Sequence, residues 1–237
     1  MKMNNANSEL YSLDIDCQLL AIENLKWLPW VGNEYFDSEH RILIVGESHY
    51  LTGSKSNRLE AEKLNFTLNV IQTFCIDHRE LQPTFDNLNR CLFGKKNPKK
   101  KVRTEMWKQL AFYNFVQRPM ESIDERPTNE DLKTGWKVFA ELIKILKPTH
   151  CIFIGFAAAD SRHKKPYICD CSREEVGQYK ARLFSAKIDE QNTCQCIAIK
   201  HTSQYFSWKS WSKFLQTKKI SGDDGVLKIS DSPTIVN

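Results

Sequence analysis

No stretch of this 237-residue chain comes near the about 18 consecutive apolar residues that a membrane-spanning helix needs. The first sixteen residues, Met1 to Asp16, have no apolar core of the signal-peptide kind. No internal repeat is present, and no Cys-x-x-Cys pair. The excess of one charge sign is also small: 34 basic against 29 acidic residues leave a net charge of +5, too mild to argue for nucleic acid on its own. The expectation from these absences is a cytoplasmic protein without a membrane partner, a monomer whose eight cysteines are mostly reduced. Apolar residues at 41% and charged residues at 27% suit an ordinary globular chain. Residues 1–16 read as a loose leader, 17–220 as one α/β domain, and 221–237 as a loose tail with little to bury.

Short apolar runs supply the strands. Arg41 to Val45 ends in Gly46, His150 to Ile154 ends in Gly155, and Cys196 to Ile199 runs into His201; Ala181 to Phe184 is a weaker fourth. Four or five apolar residues in a row mark parallel strands covered on both faces. Helical spacing appears over Leu59 to Phe74, through Leu64, Leu68 and Ile71, and again from Met106 toward Asn114. It is clearest over Asn129 to Leu146, where Thr128 to Asp131 form a capped, acidic first turn and Pro148 stops the helix. Helices alternating with strands predict a three-layer α/β/α sandwich with a mostly parallel four-stranded central sheet. Ligands in such folds bind beyond the carboxyl ends of the strands.

Three segments at or near such ends could carry chemistry. Gly46-Glu47-Ser48-His49-Tyr50 offers a close backbone turn, a carboxylate, a hydroxyl, an imidazole and a phenol; Glu47 or His49 could position or deprotonate a water. His201, followed by Thr202, Ser203, Gln204, Tyr205 and Phe206, could donate to charge developing on an oxygen, with aromatics beside it to stack on bases. Asn114 sits among apolar neighbours and presents a paired donor and acceptor, suited to the edge of a base. Each also has a plain structural reading: a polar turn, a histidine in an aromatic turn, a satisfied asparagine.

Lys95, Lys96, Lys99, Lys100, Lys101 and Arg103 crowd into nine positions. The run is either a solvated surface loop or a grip on a phosphate backbone. Cys169 and Cys171, with Cys194 and Cys196, make a possible four-thiolate set. Their Cys-x-Cys spacing is shorter than structural zinc sites use, so the expectation is small apolar packing, with no metal and no cofactor.

Taken in order, Gly46-Glu47-Ser48-His49-Tyr50, then Tyr113-Asn114-Phe115-Val116-Gln117-Arg118-Pro119, then His201-Thr202-Ser203 resemble the three motifs of the uracil-DNA glycosylase superfamily, closest in layout to its thermophile-type branch. The similarity spans roughly residues 40–215. It implies an enzyme that flips a nucleotide out of DNA and hydrolyses its glycosidic bond. In that scheme Glu47, His49 and His201 are the catalytic group. Gly46, Ser48, Tyr50 and Asn114 hold the base, Tyr50 standing where the family bars a thymine methyl. Ser203 and the wedge residue Tyr205 or Phe206, with Lys95 to Arg103, hold the DNA. Three positions depart from the family: Ser48 replaces the water-activating Asp, and His49 and Thr202 replace prolines. The base is therefore uracil or another non-standard pyrimidine, such as a bulky modified cytosine of the kind some viruses carry. Two other functions remain open: a module that binds a base without cutting, and a hydrolase acting on a small nucleotide through Glu47 and His49.

Overall fold

A computed structural model describes residues 10–51, 55–79, 81–162 and 165–220. In chain order these form α1 (Asp16–Leu20), β1 (Trp30–Val31), β2 (Ile42–Gly46), α2 (Lys55–Glu60), α3 (Phe66–Val70) running into a π-helical turn (Ile71–Ile76), α4 (Pro83–Phe93), α5 (Lys100–Lys108), β3 (Leu110–Asn114), α6 (Asn129–Leu146), β4 (His150–Ile154), α7 (Ala157–Asp160), β5 (Ile168–Val176), β6 (Tyr179–Lys187), β7 (Thr193–Ile199) and α8 (Trp208–Thr217). The strands make one sheet in the order β1-β3-β2-β4-β7-β6-β5. Its four central strands, β3, β2, β4 and β7, run parallel, and β1, β6 and β5 are antiparallel to their neighbours.

The parallel centre follows from its residues. All five residues of β2, and all five of β3, are buried, which requires cover on both faces. Phe112 and Tyr113 are consecutive on β3 and so point to opposite faces. Phe112 packs against Phe85 of α4 and Trp107 of α5. Phe153 is level with Tyr113 through Val45 and packs against Trp136 and Phe139 of α6. α6 buries Trp136, Val138, Phe139, Leu142, Ile143 and Leu146, a gross gain on the order of 10 kcal/mol before chain entropy is counted. Its start is held as expected: the Thr128 hydroxyl accepts from the Asp131 N–H at 3.2 Å, and the Asp131 carboxylate accepts from the Thr128 N–H at 2.8 Å.

Several sequence expectations change. Among the described residues the sheet has seven strands, not four. Leu110 to Asn114 is a strand; its apolar residues follow directly on the helical stripe of α5, so the change of period was hidden. Ala181 to Phe184 lies within the nine-residue antiparallel β6. β5 is largely exposed along its middle and so lacks an apolar pattern. The helix expected over Leu59 to Phe74 is two short helices and a π-helical turn, interrupted where the Leu64 carbonyl accepts from the Leu28 N–H. Residues 10–16 belong to the fold: Tyr11 bridges Gly32 and packs on Trp30, and the Ser12 N–H donates to the Val31 carbonyl. The rest of the expected leader, and the expected tail 221–237, lie outside the described residues. Among the described residues, no helix is long and apolar enough to cross a membrane.

Candidate active site at the strand ends

The register of the sheet brings the three candidate segments to one edge. Gly46 is paired with Asn114 across β2 and β3. Beyond the sheet the two chains continue side by side: the Phe115 N–H donates to the Gly46 carbonyl, Val116 to Glu47, Met120 to His49, and Leu51 back to Met120. On the other side the Gly155 N–H, at the end of β4, donates to the Ile199 carbonyl of β7, two residues before His201.

Two glycines make the clearance. A Cβ on Gly46 would stand 2.1 Å from Asn114 Oδ1, so the amide lies across the end of β2. A Cβ on Gly155, whose φ is +103°, would stand 3.6 Å from His201 Cδ2, so the imidazole leans over the end of β4. β2 and β4 are neighbours, so Asn114 and His201 approach from the two outer strands above adjacent strand ends. A narrow cleft opens between those ends, with Glu47, Phe115, Pro127, Gly155 and Ala158 in its wall; its free volume of about 10 Å³ is room for about one water.

Asn114 is buried, and among the described residues no hydrogen bond reaches its side-chain amide. Its carbonyl accepts from Gln117 Nε2, and Gln117 Oε1 accepts from the Lys26 N–H, which braces the turn from outside. The Ser203 N–H donates to His201 Nδ1 at 3.3 Å, and Ser203 Oγ lies 2.9 Å from the same nitrogen. With Nδ1 accepting, the proton of the neutral ring sits on Nε2. Burial pushes His201 down in pKa; the Glu47 carboxylate opposes this, and Lys200 and Arg126 reinforce it. The imidazole is therefore neutral at neutral pH, and Glu47 lies within its electrostatic reach. Tyr50 donates its hydroxyl to Glu47 Oε2 at 2.8 Å. Burial first, then the Glu47 charge and that hydrogen bond, raise the Tyr50 phenol, so it stays a donor that fixes the carboxylate.

Other candidates lie elsewhere or do other work. His49 is buried between Trp27 and Phe66, at ring distances of 4.8 and 4.6 Å, with Nε2 2.9 Å from Thr67 Oγ1. Burial pushes its pKa down to about 3. It belongs to the aromatic packing and does not share the cleft with Glu47. Ser48 Oγ donates to the Arg118 carbonyl at 2.7 Å and ties the two motif segments together. Phe206 is buried and stacked on Trp211, whereas Tyr205 is 87% exposed with φ +55°. In the basic run, Arg103 is spent on the carbonyls of Cys75, Ile76 and Pro98, and Lys100 pairs with Asp77. Lys95 lies over the Phe93 ring, while Lys96, Lys99 and Lys101 are exposed. Cys169 and Cys171 lie on edge strand β5, with β6 between them and the Cys194–Cys196 pair of β7, so the four thiols do not meet.

Three contributors escaped the sequence reading. Asn87 of α4 donates Nδ2 to the carbonyls of Thr202 and Ser203 at 2.8 and 3.1 Å, fixing the His201 turn; nothing in an amphipathic helix announces such a residue. Gly155 was legible only as a strand terminator. Arg126 is exposed, yet its charge is felt by both Tyr50 and His201. No protein-family model matches the chain, and no curated protein matches its sequence.

Proposed function

We propose that the chain is a DNA glycosylase that flips a non-standard pyrimidine, uracil or a modified cytosine, into the strand-end cleft and hydrolyses its N-glycosidic bond, on a three-layer α/β/α scaffold. The observation that carries this reading is the approach of Asn114 and His201 over Gly46 and Gly155, with Glu47 in the wall of a water-sized cleft. Asn114, unpaired within the described protein, offers a donor and an acceptor to a base edge. His201 is neutral, with its proton on Nε2, and donates to the base carbonyl as negative charge builds there. A preorganised donor of this kind contributes about 3 kcal/mol to the transition state. Glu47 orients a water and takes its proton as oxygen attacks the sugar carbon. The C–N bond breaks, a C–O bond forms, and the base leaves with the bonding pair. Tyr205 stands exposed beside the site, suited to the gap that a flipped base leaves, and Lys96, Lys99 and Lys101 supply charge for phosphates. No step requires a metal or redox cofactor. The cleft as it stands is too small for a base, so entry requires the walls near Pro127 and Ala158 to part.

The test is base release from duplexes carrying uracil, hypoxanthine or hydroxymethylcytosine-type bases. Asn114→Ala, His201→Ala and Glu47→Gln are each expected to lower release by about 10²–10³-fold, the size of effect that removing one transition-state donor has. Unchanged turnover in the first two would remove the site assignment. The second reading, a base-binding module without turnover, is favoured by Ser48: it takes the place of the family's acid and its hydroxyl is committed to a backbone carbonyl. Tight binding of a modified duplex with no base release by the wild-type chain would select it.

A further inference from the structure

The sequence pairs Cys194 and Cys196 with Cys169 and Cys171, but the sheet gives them a different companion. The β4–β7 register sets Cys151 beside Cys196, and Cys194, two residues back, shares their face. The three sulfurs lie within 4.8 Å of one another, and Cys194 Sγ is 3.2 Å from Cys151 Sγ. All three residues are buried. Among the described residues, no histidine, aspartate, glutamate or further cysteine joins the set.

Thiols gathered in this way have two outcomes open to them, a disulfide or a shared metal ion. A disulfide suits the closest pair poorly. The closest sulfurs belong to residues whose Cα atoms, offset by one strand spacing and two strand rises, stand about 8 Å apart, beyond the span of about 7 Å that a disulfide bridges. A common metal suits them well. Three sulfurs around one centre, at metal–sulfur bonds of about 2.3 Å, stand about 4 Å from each other, so the cluster closes on an ion with only small side-chain movement.

The surroundings point the same way. The hydroxyls of Tyr35 and Tyr113 are buried and, among the described residues, have no hydrogen-bond partner. Both phenols are within electrostatic reach of Cys151, Tyr35 also of Cys194 and Tyr113 also of Cys196. Two orphaned hydroxyls around one group of thiols are costly in an apolar core. Around an anionic metal–thiolate centre their O–H dipoles become stabilising.

We propose that Cys151, Cys194 and Cys196 bind one soft d10 metal ion, of the monovalent copper kind, in a three-coordinate all-thiolate site at the seam of β4 and β7. A donor set of sulfur alone, with no nitrogen or oxygen ligand, selects soft ions over hard ones. The site is separate from the strand-end cleft: Cys151 is four residues before Gly155, about 13 Å along the strand. It clamps together the two strands that lead to Gly155 and His201.

The experiment is metal analysis of the full-length protein from copper-supplemented cells, with anaerobic addition of Cu(I) and, in a parallel arm, Zn²⁺. The expected result is about one copper per chain, held against a weak chelator, with a raised melting temperature. Copper is expected to fall several-fold in Cys151→Ala, Cys194→Ala and Cys196→Ala, and to be kept in Cys169→Ala and Cys171→Ala. X-ray absorption of the wild-type protein, which does not depend on any variant folding, is expected to show three sulfur neighbours. Wild type that is copper-free both as purified from supplemented cells and after Cu(I) addition, nitrogen or oxygen neighbours, retention in all three core variants, or a preference for zinc would each overturn the proposal.

Discussion

The side chain of Asn114 occupies the space that any β-carbon at position 46 would need. That carbon would lie 2.1 Å from Asn114 Oδ1 and 2.9 Å from Phe112 Cζ. Phe112 is held by Phe85 and Trp107, so the asparagine is the group that gives way. Gly46→Ala is therefore expected to act as a remote form of Asn114→Ala. Base release falls at least about tenfold, while the overpacking costs about 1–3 kcal/mol of stability. Comparing kinetics with thermal melts separates the two effects. A folded Gly46→Ala protein with full activity would show that the amide need not lie across β2.

The ends of β2, β4 and β7 were legible because each is a short apolar run stopped by glycine or followed by histidine. Glu47, Asn114 and His201 were legible as polar side chains at or beside those ends. The strand carrying Asn114 was not, since Leu110 to Tyr113 continue the apolar residues of α5 without a break. His49 and Phe206 were misplaced for a common reason: a residue type shows what a side chain can do, whereas its neighbours in space decide whether it reaches solvent. The aromatic box of Trp27 and Phe66 around His49 is assembled from segments 22 and 17 positions away in the chain. Arg103 was counted among the cations for DNA, yet two of the three carbonyls it satisfies, those of Cys75 and Ile76, belong to the π-helical turn, whose form no periodicity announces.

Tyr205 separates stability from function. It holds a left-handed backbone, φ +55°, while leaving 87% of its surface exposed. Such a conformation costs a non-glycine residue about 1 kcal/mol and returns little burial. Tyr205→Gly is expected to leave the chain as stable or up to about 1 kcal/mol more stable in urea unfolding. The same change is expected to lower base release from duplex DNA, and to lower it less from single strands, where no neighbouring stack has to be held open. Equal losses on both substrates would count against a wedge.

The basic run divides into two kinds of cation. Lys96, Lys99 and Lys101 are exposed, and replacing all three with alanine is expected to weaken DNA binding at every sequence. The slope of log affinity against log salt should drop by about 0.9 for each phosphate that is no longer neutralised. Arg103 donates to three backbone carbonyls, so Arg103→Ala is expected to cost about 2 kcal/mol of stability and to leave that slope unchanged. A salt titration of both variants decides the matter. If the slope changes only in Arg103→Ala, the assignment is reversed.

His49 predicts an acid sensitivity unrelated to catalysis. Its pKa is pushed down to about 3 by burial, against about 6.5 in the unfolded chain. Below pH 6.5 the unfolded chain binds a proton that the folded one refuses, so stability rises with pH through this window. The contribution is fully present above about pH 6.5 and is lost progressively as the pH falls toward 3. From pH 6.5 to 5 the loss from this residue alone is about 1.6 kcal/mol. Asp77, Asp131 and Asp160 have lowered pKa values, because hydrogen bonds and nearby cations outweigh their burial. Their own acid losses begin near their unfolded values, so the interval between pH 6.5 and 5 belongs mainly to histidine. His201 and His150, also lowered by burial, contribute with the same sign, and a background carrying both His201→Ala and His150→Ala removes them. In that background His49→Phe is expected to start about 1 kcal/mol less stable at pH 7.5, because Thr67 Oγ1 loses its partner, and then to lose little more down to pH 5. Urea midpoints at the two pH values measure the difference. An equally steep fall with phenylalanine at position 49 would place the acid-sensitive group elsewhere.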